Sequence, residues 1–176
     1  MIQYAKDAEN AALLAAAQNM CAAARTAPKT KGEDYIVTAI VTGEEKETLA
    51  VKMEELAEKF QYAFFLRDAG NVRNSQAVVL LGFRPHVSGL NGGCRYCGFQ
   101  DCADCVKNGG TCAFGPIDLG IAAGSAVGIA GAAHIDCRIM FSAGRAALEL
   151  GYLEGAVDVL GIPLSVAGKS PYFDRK

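Results

Sequence analysis

Five of the seven cysteines, Cys94, Cys97, Cys102, Cys105 and Cys112, fall between positions 94 and 112 of a chain of 176 residues. Packing does not call for that density, so the path of this stretch is set by whatever the sulfurs hold. Thiolate sulfur selects zinc, copper(I) or iron–sulfur clusters over hard cations, and no histidine lies inside the stretch to suggest a mixed-ligand site. A structural zinc ion is usually held by two two-cysteine knuckles separated by a dozen or more residues. Here only four residues separate Cys97 from Cys102, which crowds two knuckles around one ion. A four-iron cluster is a larger object whose irons take one thiolate each, so closely spaced cysteines with one more distant suit it better. Gly92, Gly93, Gly98, Gly109 and Gly110 supply the turns that wrapping a cluster requires. The rival reading places Cys94, Cys97, Cys102 and Cys105 around one zinc ion that pins a surface loop in a non-catalytic interaction protein. The bland alternative is a disulfide-stapled loop or a set of buried thiols, and nothing in the chain points to the oxidising compartment that disulfides need.

The remaining sequence suits one α+β domain spanning 1–176, with the cysteine-rich segment 92–115 inserted between a strand and a helix. Formal charge is -2 and the basic residues are scattered, so neither nucleic acid nor an anionic membrane is implied as a partner. The first ten residues carry acids and lack a basic leader region, which leads to an expected cytoplasmic location. The apolar run from Leu119 to Ala133 is shorter than the ~20 residues that span a bilayer, and it reads as a buried helix.

Residues 5–25 are alanine-rich and free of proline and glycine; Leu13, Ala17, Met20, Cys21 and Ala24 share one helical face. That helix should stop before Pro28, and the loop that follows is basic, with Arg25, Lys29 and Lys31: a solvated turn or a phosphate-binding edge. Tyr35 to Val41 reads as a strand covered on both sides. Thr42-Gly-Glu-Glu45 has the form of a capping box, ahead of a helix with Leu49, Met53, Leu56 and Phe60 on one stripe. Phe64-Phe65-Leu66 reads as a short strand or a helix end. The polar residues from Arg67 to Ser75 read as a loop, suited equally to binding and to simple turn chemistry. Ala77 to Phe83 is a buried central strand that delivers the chain into the cysteines. Beyond Cys112, Pro116 and Asp118 open a helix to about His134. Four glycines, Gly120, Gly124, Gly128 and Gly131, lie near one side of it, at a cost of ~1 kcal/mol each relative to alanine. Another backbone, a subunit or a flat cofactor would account for them. His134 reads as a capping or packing residue. A helix from Ser142 to Leu150, closed by Gly151, and a last strand from Val157 to Val166, broken at Gly161-Ile-Pro163, complete the chain.

The order Cys94-x2-Cys97-Gly-Phe-x2-Cys102 with a later Cys112 resembles the small four-iron domain of the B subunit of Rnf-type electron-transport complexes and of the corrinoid iron–sulfur protein. That resemblance implies a [4Fe-4S] cluster on Cys94, Cys97, Cys102 and Cys112. The gap before Cys112 is shorter than in that domain and Cys105 is extra, so the fourth ligand lies open between Cys112 and Cys105. Further along, Ala-Arg25-Thr-Ala-Pro-Lys, Leu66-Arg-Asp-Ala-Gly-Asn71, Asp118-Leu-Gly-Ile-Ala-Ala-Gly-Ser-Ala126 and Gly161-Ile-Pro-Leu-Ser165 are similar to a family of proteins of anaerobic bacteria and methanogens described as containing a ferredoxin domain. Members of that family carry asparagine where Cys137 stands, which implies that Cys137 is incidental.

The order of elements also resembles the FMN-dependent nitroreductase architecture, a central mixed sheet flanked by helices. That resemblance implies a homodimer with FMN at its interface and a phosphate held by Arg25, Lys29 and Lys31, with Arg145 or Lys169. Together the resemblances imply an iron–sulfur redox protein that transfers single electrons to a partner protein or a small-molecule acceptor, coupled to flavin if FMN is bound. No general acid/base pair, catalytic triad or nucleotide-binding loop is recognisable; Gly120-x3-Gly124-Ser125 lacks the lysine of a P-loop.

Overall fold

The computed structural model describes residues 2–173. Its centre is strand β2, Ala77–Phe83, in which every residue is buried. Side chains alternate along a strand, so Ala77, Val79, Leu81 and Phe83 enter one core while Val78 and Leu80 enter another. A strand covered on both faces has no solvent side, which explains its uninterrupted apolar sequence. Strands β1 (Ile36–Val41), β3 (Asp136–Cys137) and β4 (Asp158–Ser165) complete a sheet of order β1-β2-β4-β3. Each pairing is antiparallel, so the α+β class holds without the mixture of strand directions expected. Strand β1 is an edge with only Ile36 and Val41 buried, less covered than its sequence implies. Strand β4 runs unbroken through Gly161-Ile-Pro163.

Helix α1 (Ala5–Thr26) and helix α5 (Phe114–Ala132) cover one face. Helices α2 (Gly43–Phe60), α3 (Ala63–Arg73) and α6 (Phe141–Glu149) cover the other. Helix α1 buries Leu13, Ala17, Met20 and Ala24, with Cys21 half-buried beside them, and ends ahead of Pro28. The capping box at Thr42 does not close: its side chain makes no capping hydrogen bond, and Gly43 enters the helix at φ 56°.

Phe64-Phe65-Leu66 lies inside α3, and the polar residues from Arg67 to Arg73 are the rest of that helix, with Asn74 and Ser75 in the turn that ends it, rather than one loop. Their polarity is spent on the fold. Asp68 accepts from Ser142 Oγ at 2.6 Å and from Arg67 Nε at 2.9 Å. Ser75 Oγ bonds the Asn71 carbonyl and the Tyr172 hydroxyl, and Arg73 pairs with Glu47 and Glu54. Burial pushes the Tyr172 hydroxyl well above the usual tyrosine range.

Helix α5 is anchored at its start by Asp118, whose buried carboxylate accepts from Thr30 N (3.0 and 3.2 Å) and Thr30 Oγ1 (3.0 Å). At its end His134 adopts φ 58°, while the Ile135 amide reaches back to the Ala130 carbonyl at 2.9 Å. This is a Schellman turn with histidine in the position glycine usually takes, so His134 is a capping residue. With 19 residues and mean hydropathy 1.3, α5 is by length and composition long and apolar enough to cross a membrane, and only 39% of it is buried. It is therefore not the wholly buried helix its sequence implies: one side packs on α1 and the sheet and the other is open.

Candidate functional site: the cysteine cradle

The cysteine segment leaves β2 at Phe83 and ends at α5, and its two ends are fastened to each other. A Cβ on Gly115 would fall 2.4 Å from the Phe83 ring, so only glycine lets the helix start there. Between them, helix α4 (Cys102–Lys107) is capped by Asp101, which accepts from the Asp104 amide at 2.8 Å. It is closed by Gly109, with the Gly110 amide bonded to the Cys105 carbonyl at 2.8 Å. Phe99 lies on Gly110, where a Cβ would come 2.3 Å from its ring. Tyr96 stacks on Phe114 at 5.6 Å.

This framing brings Cys94, Cys97, Cys102 and Cys112 to the lining of one recess, together with Ser88 and Asn91. Cys112 and Ser88 are buried, and Cys94, Cys97 and Cys102 are half-buried. The Tyr96 amide donates to Cys94 Sγ at 3.5 Å. Cys105 does not line the recess. It lies behind the lining at 1% exposure, and burial first, then the adjoining thiols of Cys97, Cys112 and Cys102, pushes its own thiol up. All seven cysteines are free thiols, so the stapled loop is not the observed state.

The free space of the recess, ≈ 10 Å³, is that of a single water molecule. Among the described residues no three histidine, cysteine or acidic side chains converge on a point where one metal ion would sit. The four cradle thiols line the recess without meeting at one ion's position. Their chemistry, four soft donors with an amide hydrogen bond to one sulfur, fits an iron–sulfur cluster, and its entry requires the loop to spread.

The residues expected to hold a flavin phosphate are placed otherwise. Lys29 Nζ is buried against the end of α1 and donates to the carbonyls of Ala24 (2.7 Å), Arg25 and Ala27 (2.8 Å). Arg25 pairs with Asp34 and donates to the Ile36 carbonyl. Burial would raise the Asp34 carboxyl, but the Arg25 guanidinium, the Ile36 amide and Lys29 outweigh it and hold it below the usual carboxylate range. Lys31 faces Glu33 at 3.3 Å, Arg145 pairs with Glu149, and Lys169 is exposed. Arg145 lines a separate cleft beside Phe141 and Gly120. In the single chain Arg25, Lys29, Lys31 and Arg145 are each engaged by a carboxylate or a backbone carbonyl. Cys137 is half-buried in β3, packed on the α1–α5 core and away from the recess.

Comparison with known proteins gives a family and a fold. Residues 108–175 match a family model described as an uncharacterized protein containing a ferredoxin domain. An uncharacterized protein of Archaeoglobus fulgidus is 47% identical over 184 residues, covering 99% of this chain and 98% of its own. The chain belongs to this ferredoxin-domain family. The segment matched by the family model takes in Cys112 and Cys137 and begins after the other cradle cysteines.

The fold of this ferredoxin-domain protein is that of nitroreductase-like flavoproteins. A nitroreductase with bound FMN from Desulfitobacterium hafniense superposes with TM-score 0.59 at 16% identity, over 88% of this chain and 78% of that one. A BluB-like flavoprotein from Clostridium difficile gives 0.55 at 14%, over 92% and 82%. The NADPH:FMN oxidoreductase of Vibrio harveyi gives 0.54 at 15%, over 92% of this chain and 63% of its own. Family and fold together support a redox role. The sequence resemblances hold for the family and the scaffold. What they could not supply is the structural use of Lys29, because a lysine capping a helix end and a lysine awaiting phosphate look alike in sequence.

Proposed function

We propose that this ferredoxin-domain protein holds one [4Fe-4S] cluster on Cys94, Cys97, Cys102 and Cys112 and transfers single electrons in a reducing compartment, to a partner protein or a small-molecule acceptor. The observation that carries the reading is that these four thiols line one recess, which the Cys105 thiol adjoins at Cys97 without lining it. A bound cluster of this type supplies one-electron exchange at a potential set by burial and by hydrogen bonds to sulfur. The chain's own part is to bind and to tune: the Tyr96 amide favours negative charge on Cys94 sulfur, and Phe99 and the Tyr96–Phe114 stack pack the loop around the thiols.

Protein purified without air should show broad visible absorption that bleaches with dithionite, and iron and acid-labile sulfide in equal amounts. Colourless protein with one zinc per chain would overturn the reading. The same spectrum reads flavin, whose separate bands would place FMN on this scaffold.

The open side of α5 supports a homodimer. A Cβ on Gly120, Gly124, Gly128 or Gly131 would meet nothing within 4 Å, and Ile117 and Ile121 beside them are 42% and 41% exposed. Glycines that cost helix stability without admitting a neighbour in their own chain fit close approach of a second copy. Gly124→Arg has room in the single chain, so it should stay folded yet sediment as a monomer where the wild type sediments as a dimer. A monomeric wild type would refute the dimer.

A further inference from the structure

Between Arg84 and Asp104 the chain buries one residue, Ser88. It is 3% exposed, while its apolar neighbours Val87 and Leu90 are 36% and 45% exposed. Burial by hydrophobicity would give the reverse order, with the valine or the leucine inside and the serine in water. Ser88 lines the thiol recess with Cys94, Cys97, Cys102 and Cys112. It does not line the neighbouring cleft beside Cys112, whose walls include Pro85, His86, Val87 and Val157.

A buried hydroxyl without a hydrogen bond costs ~1–3 kcal/mol in protein hosts, so buried hydroxyls are normally paired. Those of Ser75 and Ser142 are held by the Asn71 carbonyl, Tyr172 and Asp68. The Ser88 hydroxyl has no partner among the described residues, yet it is not sealed off: the fully buried side-chain oxygen left without a partner there is Asp136 Oδ2. Ser88 Oγ thus keeps an open edge, and the space that Ser88 lines is the recess. The other polar side chains on that lining, Asn91, Arg95 and Asp101, belong to exposed residues. A serine hydroxyl carries one donor, and the cradle around it is made of sulfur.

We propose that Ser88 donates its hydroxyl proton to sulfur of the bound cluster, thiolate or sulfide, and thereby raises the potential at which this protein accepts an electron. One-electron reduction adds negative charge that the sulfurs share, and a hydrogen bond strengthens as its acceptor becomes more negative. The reduced form therefore gains more from the hydroxyl than the oxidised form does, which is how hydrogen bonds to sulfur set such potentials. The Tyr96 amide does the same for Cys94 from the backbone. Ser88 is the side-chain counterpart, a tuning residue and not a ligand. This role rests on the cluster proposed above.

The test is a redox titration of the anaerobically purified full chain, with the reduced cluster counted by its paramagnetic resonance signal and iron and sulfide assayed on each sample. Ser88→Ala should keep iron and sulfide at the wild-type level. At any fixed poise its ratio of reduced to oxidised cluster should be at least about threefold lower, ~30 mV for one electron. Ser88→Thr and Ser88→Val share one shape and differ in the hydroxyl, so they read the hydrogen bond even if alanine loosens the loop. Ser88→Thr should hold its potential above that of Ser88→Val by the same margin. Equal potentials in the wild type and Ser88→Ala, or in the threonine and valine variants, overturn the role of Ser88 and leave the cluster standing. Wild-type protein without iron and sulfide refutes the cluster and this role together.

Discussion

Cys94→Ser should purify with iron and sulfide at background, whereas Cys105→Ser should retain both at the wild-type ratio. The two cysteines are eleven residues apart in one loop, and the difference between them is that Cys94 lines the recess and Cys105 does not. The Cys94 sulfur accepts the Tyr96 amide. A serine hydroxyl there is a harder, more basic donor that replaces thiolate poorly on iron. Cys105 is buried beside Cys97, behind the lining, where its Sγ would lie 3.0 Å from a Cβ on Gly110. Serine at that site buries a hydroxyl, at a cost of ~1–3 kcal/mol in protein hosts, so the yield should fall while the metal content of each folded chain holds. Cys112→Ser should behave like Cys94→Ser. Equal loss from the Cys94 and Cys105 variants would make Cys105 a ligand and remove the assignment of the recess.

Why the cysteines were readable and the cations were not is a matter of how many uses each residue type has. Four soft donors within a short stretch serve few purposes besides holding a metal centre, so spacing and composition alone lead to the recess. Lys29 and Arg25 could serve a phosphate, a carboxylate or a helix end, and the contacts that decide between these come from Asp34 and from carbonyls at the end of α1. The strand Ala77–Phe83 was legible because burial on both faces leaves a continuous apolar run. The helix Ala63–Arg73 was not, because its polar residues face partners on other elements, Asp68 to Ser142 and Arg73 to Glu47 and Glu54. Read singly they look like a loop. The cleft beside Cys112 left no local signal at all, since its walls come from positions as distant as Pro85 and Val157. The glycines of α5 left their purpose open in the sequence, and in the single chain a Cβ on any of the four would meet nothing within 4 Å.

Gly144→Ala should lower stability by ~3 kcal/mol or more, although it adds one methyl group to a helix. In an exposed helix the same change stabilises by up to ~1 kcal/mol. At Gly144 the new Cβ would lie 1.8 Å from the Val159 carbonyl oxygen and 2.5 Å from its carbon. Both are backbone atoms of β4, which cannot rotate aside as a side chain would. Gly161 makes the matching approach from the strand, where a Cβ would come 2.6 Å from that of Ala143. Relief therefore requires α6 and β4 to separate, and β4 is paired with the central strand along its length. Separation also pulls on the Val157 amide, which bonds the Phe83 carbonyl at 3.0 Å where the chain enters the cysteine loop. Urea unfolding gives the measurement, with Gly70→Ala as the control: Gly70 lies inside α3 with nothing within 4 Å of its would-be Cβ, so that variant should gain ~0.5–1 kcal/mol. Iron per folded chain separates scaffold from ligand. It should be unchanged in Gly144→Ala wherever the protein is folded, because the methyl group breaks the platform under the cradle and touches none of its sulfurs. A Gly144→Ala protein as stable as wild type would show that the α6–β4 contact is looser than described.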